Sequence, residues 1–197
     1  MNLILIAGLP ASGKSGFAAY AGEQLGIPVL AKDELKEILF DDVGFQSREG
    51  KVALGNASTD LMYYMAELLL KNGQSVILDN NFEASSLPGL RRLMEKYPCH
   101  PVTVRFDGEV SAIYRRFVAR DHDPNRHRGH IVNTRYPETV REPYVPISCE
   151  EFEEKFRKRG MMDFCAGGTL LTVDVTTFEH YSKEELLARL REALKTA

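Results

Sequence analysis

Eight residues near the amino terminus constrain this chain more than any other feature. Gly8-Leu9-Pro10-Ala11-Ser12-Gly13-Lys14-Ser15 fits G-x-x-x-x-G-K-[ST] in full, directly after the apolar run Leu3 to Ala7. At average residue usage, chance produces such a match in a chain of this length on the order of one time in a hundred. A short, continuously apolar run suits a strand covered on both faces. The glycines permit backbone angles that other residues resist. Successive N–H groups can then point inward around a phosphate, at the positive end of the helix that follows. In this arrangement Lys14 reaches the β- and γ-phosphates and the Ser15 hydroxyl ligates Mg²⁺. Gly8, Leu9, Pro10, Ala11, Ser12, Gly13, Lys14 and Ser15 are therefore the expected cradle for ATP and its Mg²⁺.

The rest of the chain alternates in a way that suits this start. Short apolar or alternating runs at 28–31, 75–79, 101–106 and 169–176 read as further strands. Helical patterns fall between them, at 14–25, 33–40, 51–71, 87–97, 110–120, 148–159 and 182–195, with Ser148/Glu151 and Ser182/Glu185 as capping boxes. In the long helix 51–71, the apolar Val52, Leu61, Met65, Leu68 and Leu69 are expected to face the core. Residues 121–146 break the pattern. They hold Pro124, Pro137, Pro143 and Pro146, four arginines and three histidines, and read as a loop or mobile lid. The implied fold class is α/β: three layers, a mostly parallel five-stranded sheet with helices on both faces, and an arginine-bearing lid at about 115–146. All 197 residues read as one domain.

Two carboxylates stand where the chemistry needs them. Asp79 ends the strand SVILD, facing the crevice where parallel sheets bind ligands, and could hold Mg²⁺. The plainer alternative is a turn residue, given Asn80 and Asn81 after it. No acid follows Asp79 directly, which tilts the expected chemistry from hydrolysis toward transfer to an acceptor hydroxyl. Asp33 opens the second helix beside the expected γ-phosphate. It could take the proton of that hydroxyl, or equally serve as a helix N-cap. Lys36, on the same helical face, could hold a polar or anionic acceptor. Arg116 and Arg120 are four apart on one helix, and Arg126 follows in the lid. Their guanidinium forks suit the charge that develops on a transferring phosphoryl group. A metal site from His122, His127 and His130 has no regular spacing behind it.

Composition excludes several classes. With 25 Lys+Arg against 28 Asp+Glu and a net charge of −3, the surface as a whole is not built to hold nucleic acid. Three cysteines without a C-x-x-C pair suit a reducing, cytoplasmic setting. No apolar run approaches the ~20 residues of a membrane span, so no membrane partner is expected. No N-K-x-D guanine-reading motif occurs, so adenine is the expected base.

GLPASGKS at 8–15, AKDELKEILFD at 31–41, VILDNNF at 76–82 and RRFVARDHDPNRHRGH at 115–130 together resemble the P-loop kinase group. That group includes polynucleotide 5′-hydroxyl kinases, zeta toxins and chloramphenicol phosphotransferase, and the likeness is nearest to bacterial kinase-like ATPases. It spans about residues 1–135. The resemblance implies a P-loop NTPase fold, ATP and Mg²⁺ as cofactors, and Asp33 as the catalytic base. Polynucleotide kinases carry an arginine where this chain has Lys36, a point charge and not a planar fork. The expected activity is transfer of the γ-phosphate of ATP to a small-molecule hydroxyl. A polynucleotide 5′-hydroxyl is the second choice of acceptor, and an ATP-binding regulatory module without transfer activity is the alternative of another class.

Overall fold

A computed structural model describes residues 1–195. Five strands, β1 (Asn2–Gly8), β2 (Val29–Ala31), β3 (Val76–Asp79), β4 (His100–Asp107) and β5 (Thr169–Asp174), form one sheet in the order β2-β3-β1-β4-β5. Every pairing is parallel, so the expected mostly parallel sheet is wholly so. Among the described residues, eight α-helices connect or cover the strands: α1 (Lys14–Leu25), α2 (Lys32–Asp42), α3 (Arg48–Lys71), α4 (Leu87–Lys96), α5 (Val110–His122), α6 (Arg128–Ile131), α7 (Cys149–Lys158) and α8 (Lys183–Lys195).

The period of two in β1 divides the core. Ile4 and Ile6 point into one layer with Phe17 and Ala21 of α1, Val104 and Phe106 of β4, Phe152 of α7 and Leu187 of α8. Leu3, Leu5 and Ala7 point the other way, toward Met62, Ala66 and Leu70 of α3 and Leu90 of α4. With helices on both sides, each strand loses water from both faces. That is why β1 reads as an unbroken apolar run.

The long helix corrects an expectation. Val52, Leu61, Met65 and Leu68 are exposed, while Lys51, Ser58, Met62, Ala66 and Leu70 are buried. Only Leu69 of the predicted set packs partly inward. Gly55, Ser58 and Ala66 are small, and a small-residue face lets α3 approach its neighbours closely. The large apolar side chains left over lie on the opposite side.

The lid is tied down more firmly than its composition suggests. Phe40, Phe45 and Val132 form a third buried cluster, with Tyr136 packed on it. Phe45 and Tyr136 exchange backbone hydrogen bonds of 2.8 and 2.9 Å. Lys51 Nζ donates to the carbonyls of His130 (2.8 Å) and Val132 (2.5 Å), and Arg128 forks onto Glu138 at 2.6 Å through each of two nitrogens. Short helix α6 lies within this segment, where the sequence suggested only loop.

Candidate active site

The turn between β1 and α1 is built on unusual backbone angles. Gly8, Ala11 and Gly13 all take positive φ (138°, 66° and 86°). A Cβ on Gly8 would lie 2.7 Å from the Phe106 carbonyl oxygen, so no other residue fits without displacing β4. Ala11 holds a left-handed conformation that costs a non-glycine residue on the order of 1 kcal/mol. Strain kept at such a place suits a loop shaped for a ligand rather than for its own stability. Ser12 Oγ is fully buried with no hydrogen-bond partner. Lys14 is buried; desolvation lowers its pKa, opposed by Asp79 and Asp33 and reinforced by Arg120 and Arg126.

Asp79 is the last residue of β3, in register with Ile6 of β1 and Ala31 of β2. Burial raises its pKa, while Lys14 and a hydrogen bond from Ser15 pull it down. Its Oδ1 is buried without a partner. The turn contact belongs to Asn80, whose Oδ1 accepts from the Asn81 amide at 2.8 Å. Oxygen donors from Asp79 and Ser15, one of them unsatisfied, fit a small hard cation that keeps waters and phosphate oxygens as its other ligands. No cluster of three or more His, Cys, Asp or Glu able to hold a metal occurs among the described residues, so the lid histidines form no such site.

Asp33 is not a helix cap. The N-cap of α2 is Ala31, and Asp33 is the second residue of the helix. Its side chain therefore remains available to the cleft, in a first turn that favours negative charge. Burial pushes its carboxyl up. His130, Lys14, Lys36 and Arg126 together outweigh burial and hold it below the ordinary carboxylate range. Water reaches it inside the cleft although protein surrounds it on most sides. The cleft is about 540 Å³ and includes Pro10, Asp33, Lys36, Arg120, Arg126 and His130 in its lining. A second hollow of about 590 Å³ continues it, with Lys36, Arg48, Lys51, Asn81 and Arg159 common to both.

The arginines separate. Arg120 and Arg126 face the Lys14 side and share Asp121: Arg120 Nε donates to Asp121 Oδ1 at 2.9 Å, and Arg126 Nε lies 3.7 Å from the same oxygen. Arg116 does not join them, contrary to the expectation from its spacing. It donates to the carbonyls of Val175 (2.7 Å) and Thr176 (3.2 Å) and lies 4.5 Å from the centre of the Phe178 ring. A helical turn of 3.6 residues rotates positions four apart by about 40°, and each guanidinium follows its nearest acceptor. Phe178 in turn lies over Gly13, where a Cβ would come within 3.0 Å of its ring.

Several site residues escaped the sequence reading. Asp121 sits between the two arginines it orients; an acid directly after Arg120 was the available signal. Glu37 accepts from His130 Nε2 at 2.8 Å and lies 3.8 Å from Arg126. Its signal was a position one helical turn after Asp33. Arg48 and Lys51, eighty residues before the lid, had no local signal at all.

Residues 3–134 match a protein family described as AAA domain. Among solved structures, a protein from Chloroflexus aurantiacus described only as a candidate kinase is 26% identical. The match covers 98% of this chain and 97% of that one, with a TM-score of 0.80. An APS kinase from Mycobacterium tuberculosis, solved with AMPPNP and APS, shares the fold at 19% identity, a TM-score of 0.57 and coverage of 98% and 97%. A shikimate kinase from Bacteroides thetaiotaomicron does so at 13% identity, a TM-score of 0.55 and coverage of 98% of each chain. No curated protein matches the sequence. No helix among the described residues is long and apolar enough to cross a membrane.

Proposed function

The chain belongs to the AAA domain family, and from that premise we propose that it is a P-loop phosphotransferase moving the γ-phosphoryl group of ATP to a small-molecule hydroxyl. The observation that carries this reading is Asp33. It is a carboxylate outside the cap position of α2, held ionised in a cleft that Arg120 and Arg126 also line, with Lys14 acting on it. A hydrolase needs a group to activate water; Asn80 and Asn81 follow Asp79, and neither is a general base. The narrower likeness to polynucleotide kinases, zeta toxins and chloramphenicol phosphotransferase rests on the four sequence stretches alone.

Each residue then has one task. The loop amides and Lys14 hold the β- and γ-phosphates. Ser15 and Asp79 hold Mg²⁺, which when bound neutralises charge on the phosphate oxygens. Asp33 orients the acceptor hydroxyl and receives its proton as oxygen attacks phosphorus and the bond to ADP breaks. Lys36 faces the acceptor. Arg120 and Arg126 stabilise charge on the transferring group. Arg116, already spent on two carbonyls, is left out of that role and belongs instead to the wall beside Phe178.

The test is calorimetric titration of AMPPNP with and without Mg²⁺, followed by a screen of hydroxyl compounds for acceptor-dependent ADP release. Magnesium-dependent affinity with an accelerating acceptor supports the reading. Affinity with no acceptor in a broad screen would turn it toward a regulatory module. A second prediction concerns Asp121. Asp121→Asn removes the charge that aims both arginines, and is expected to lower kcat about ten- to a hundredfold through misplacement, with the KM for ATP changed less. Steady-state kinetics checks it, and an unchanged kcat would remove Asp121 from the positioning scheme.

A further inference from the structure

The cleft holds more positive charge than phosphoryl transfer uses. Beyond Lys14, Arg120 and Arg126 at its phosphate end, Lys36 of α2, Arg48 and Lys51 of α3 and Lys155 of α7 line the same hollow. Arg48 is central to the group, acting on Lys36, Lys51 and Lys155 alike. Burial, with Lys32, Arg48 and Arg126 after it and against the opposing pull of Asp33, lowers Lys36 to about 8; burial, with Lys36, Arg48 and Lys155 after it, lowers Lys51 to about 7. Lys51 is occupied, since its Nζ donates to the His130 and Val132 carbonyls and lies 3.3 Å from Asn133 Oδ1. Arg48 gives Nη1 to that same Asn133 oxygen at 2.8 Å. Among the described residues, neither Lys36, Arg48 nor Lys155 forms an ion pair.

Two of the three carboxylates that line this hollow, Asp121 and Glu142, are engaged elsewhere. Asp121 serves two arginines, Glu142 accepts from the Thr134 hydroxyl at 2.5 Å, and Asp33 divides its charge among His130, Lys14, Lys36 and Arg126. Like charges drawn from three separate elements repel one another across the hollow, and an anion from outside would offset that repulsion. Three cations that share only Asp33 keep a net positive charge that matches a dianion better than a single carboxylate, and guanidinium and ammonium donors suit phosphate oxygens.

We propose that Lys36, Arg48 and Lys155 form a subsite for a phosphate monoester carried by the acceptor, so that this protein phosphorylates a small molecule that already bears one phosphate. The proposal rests on the phosphotransferase reading. In the step, the acceptor oxygen bonds to the γ-phosphorus, the bond from that phosphorus to the ADP oxygen breaks, and the hydroxyl proton passes to Asp33. The products are ADP and a doubly phosphorylated molecule. Lys36 stands one helical turn from Asp33, with neighbours at that spacing about 5–6 Å apart at Cβ. The anchoring phosphate and the reacting hydroxyl therefore belong to one compact molecule. Two cations further out, Arg159 and Arg128, are already paired with Glu83 and Glu138.

The test uses the full chain with AMPPNP and Mg²⁺ added to saturation, so that the loop cannot bind the probe. Ribose 5-phosphate and glycerol 1-phosphate are then titrated, with ribose and glycerol as controls. The phosphate esters are expected to bind and the parent alcohols not. Arg48→Gln and Lys155→Gln are each expected to weaken ester binding about tenfold or more, and Arg48→Lys by less. Both positions are solvent-accessible, so the folded state is expected to survive, with thermal melting as the check. Nucleotide affinity is measured first in the same cell. Its absence overturns the phosphotransferase reading, and the acceptor role of the subsite with it. Its presence without ester binding, or with equal binding in the variants, overturns the subsite alone. A 3′-phosphorylated twelve-nucleotide strand that binds more than tenfold tighter than the 3′-mononucleotide, with a steep salt dependence, overturns the small-molecule assignment.

Discussion

Replacing Asp33 with asparagine is expected to lower kcat by about 10²- to 10⁴-fold, the usual worth of a positioned base, while MgAMPPNP affinity changes by no more than a few-fold. Asparagine keeps the shape and tolerates the first turn of α2, whose cap is Ala31 and remains in place. What disappears is the negative charge and the ability to receive a proton. The pH profile is a second readout. Burial raises the Asp33 pKa, but the surrounding cations prevail and the carboxyl ends below its ordinary range. A depressed carboxylate stays ionised as pH falls until the medium reaches its folded-state value. The acid limb of kcat/KM attributable to Asp33 therefore lies below the range of an ordinary carboxylate, and an enzyme relying on it keeps its rate through mildly acidic buffer. The same sign governs folding. The stability gained from the ionised group is present above the unfolded pKa and disappears as pH falls through the folded one. A base of low pKa is a weak one, which suits transfer through a loose transition state, where the acceptor proton leaves late and orientation matters more than basicity. A kcat within threefold of the parent, in a variant that melts normally, would remove Asp33 from the reaction.

Local chemistry made most of this architecture readable. The strand LILIA, the glycine turn and the capping box at Ser148 each announce themselves within a few residues, because their causes are local: burial on both faces, positive φ, orphan amides. Ser148 accepts from the Glu151 amide, and Glu151 from the Ser148 amide, as its spacing implies. The failures have nonlocal causes. Helix α3 presents Leu61, Met65 and Leu68 to solvent because the face carrying Ser58, Met62, Ala66 and Leu70 is the one that is buried, and periodicity reports that a stripe exists without saying which side the rest of the chain will cover. Arg116 and Arg120 share a helix and nearly a face, yet the carbonyls at the end of β5 capture one and Asp121 the other. Nothing in RRFVAR says that residues 175 and 176 will stand nearby. Asp33 was ambiguous for a subtler reason. A cap and a second-position residue differ by two steps along the chain, and only the backbone angles at Ala31 decide between them. The basic subsite was the least legible part, since Lys36, Arg48 and Lys155 are each unremarkable alone and meet only through the packing of α2, α3 and α7.

Lys14→Met is the second large effect, expected to weaken nucleotide affinity and turnover together by about a hundredfold or more, the range seen when one fixed charge-stabilising donor is removed. Methionine fills much of the same volume in a site where Lys14 is almost wholly buried. The buried ammonium also lost hydration on folding, so its removal is expected to shift melting by only a few degrees. The consequence beyond lost phosphate contact runs through Asp79. Burial raises the Asp79 carboxyl, and Lys14 is the foremost group pulling it back. Without that charge the Asp79 pKa climbs further. A cation must then displace a proton to bind, and the remaining Mg²⁺-dependent affinity is expected to improve as pH rises, a dependence weaker in the parent. Asp79→Asn separates the two contributions. It removes the metal-side charge but leaves Lys14 on the phosphates, so nucleotide affinity without Mg²⁺ is retained while the gain on adding Mg²⁺ is lost. Calorimetry of AMPPNP at two pH values, with and without Mg²⁺, reads all four quantities. Equal magnesium gains in the parent and in Asp79→Asn would show that the orphaned Oδ1 at the end of β3 awaits something other than a metal ion, and the assignment of both carboxylates would have to be exchanged or abandoned.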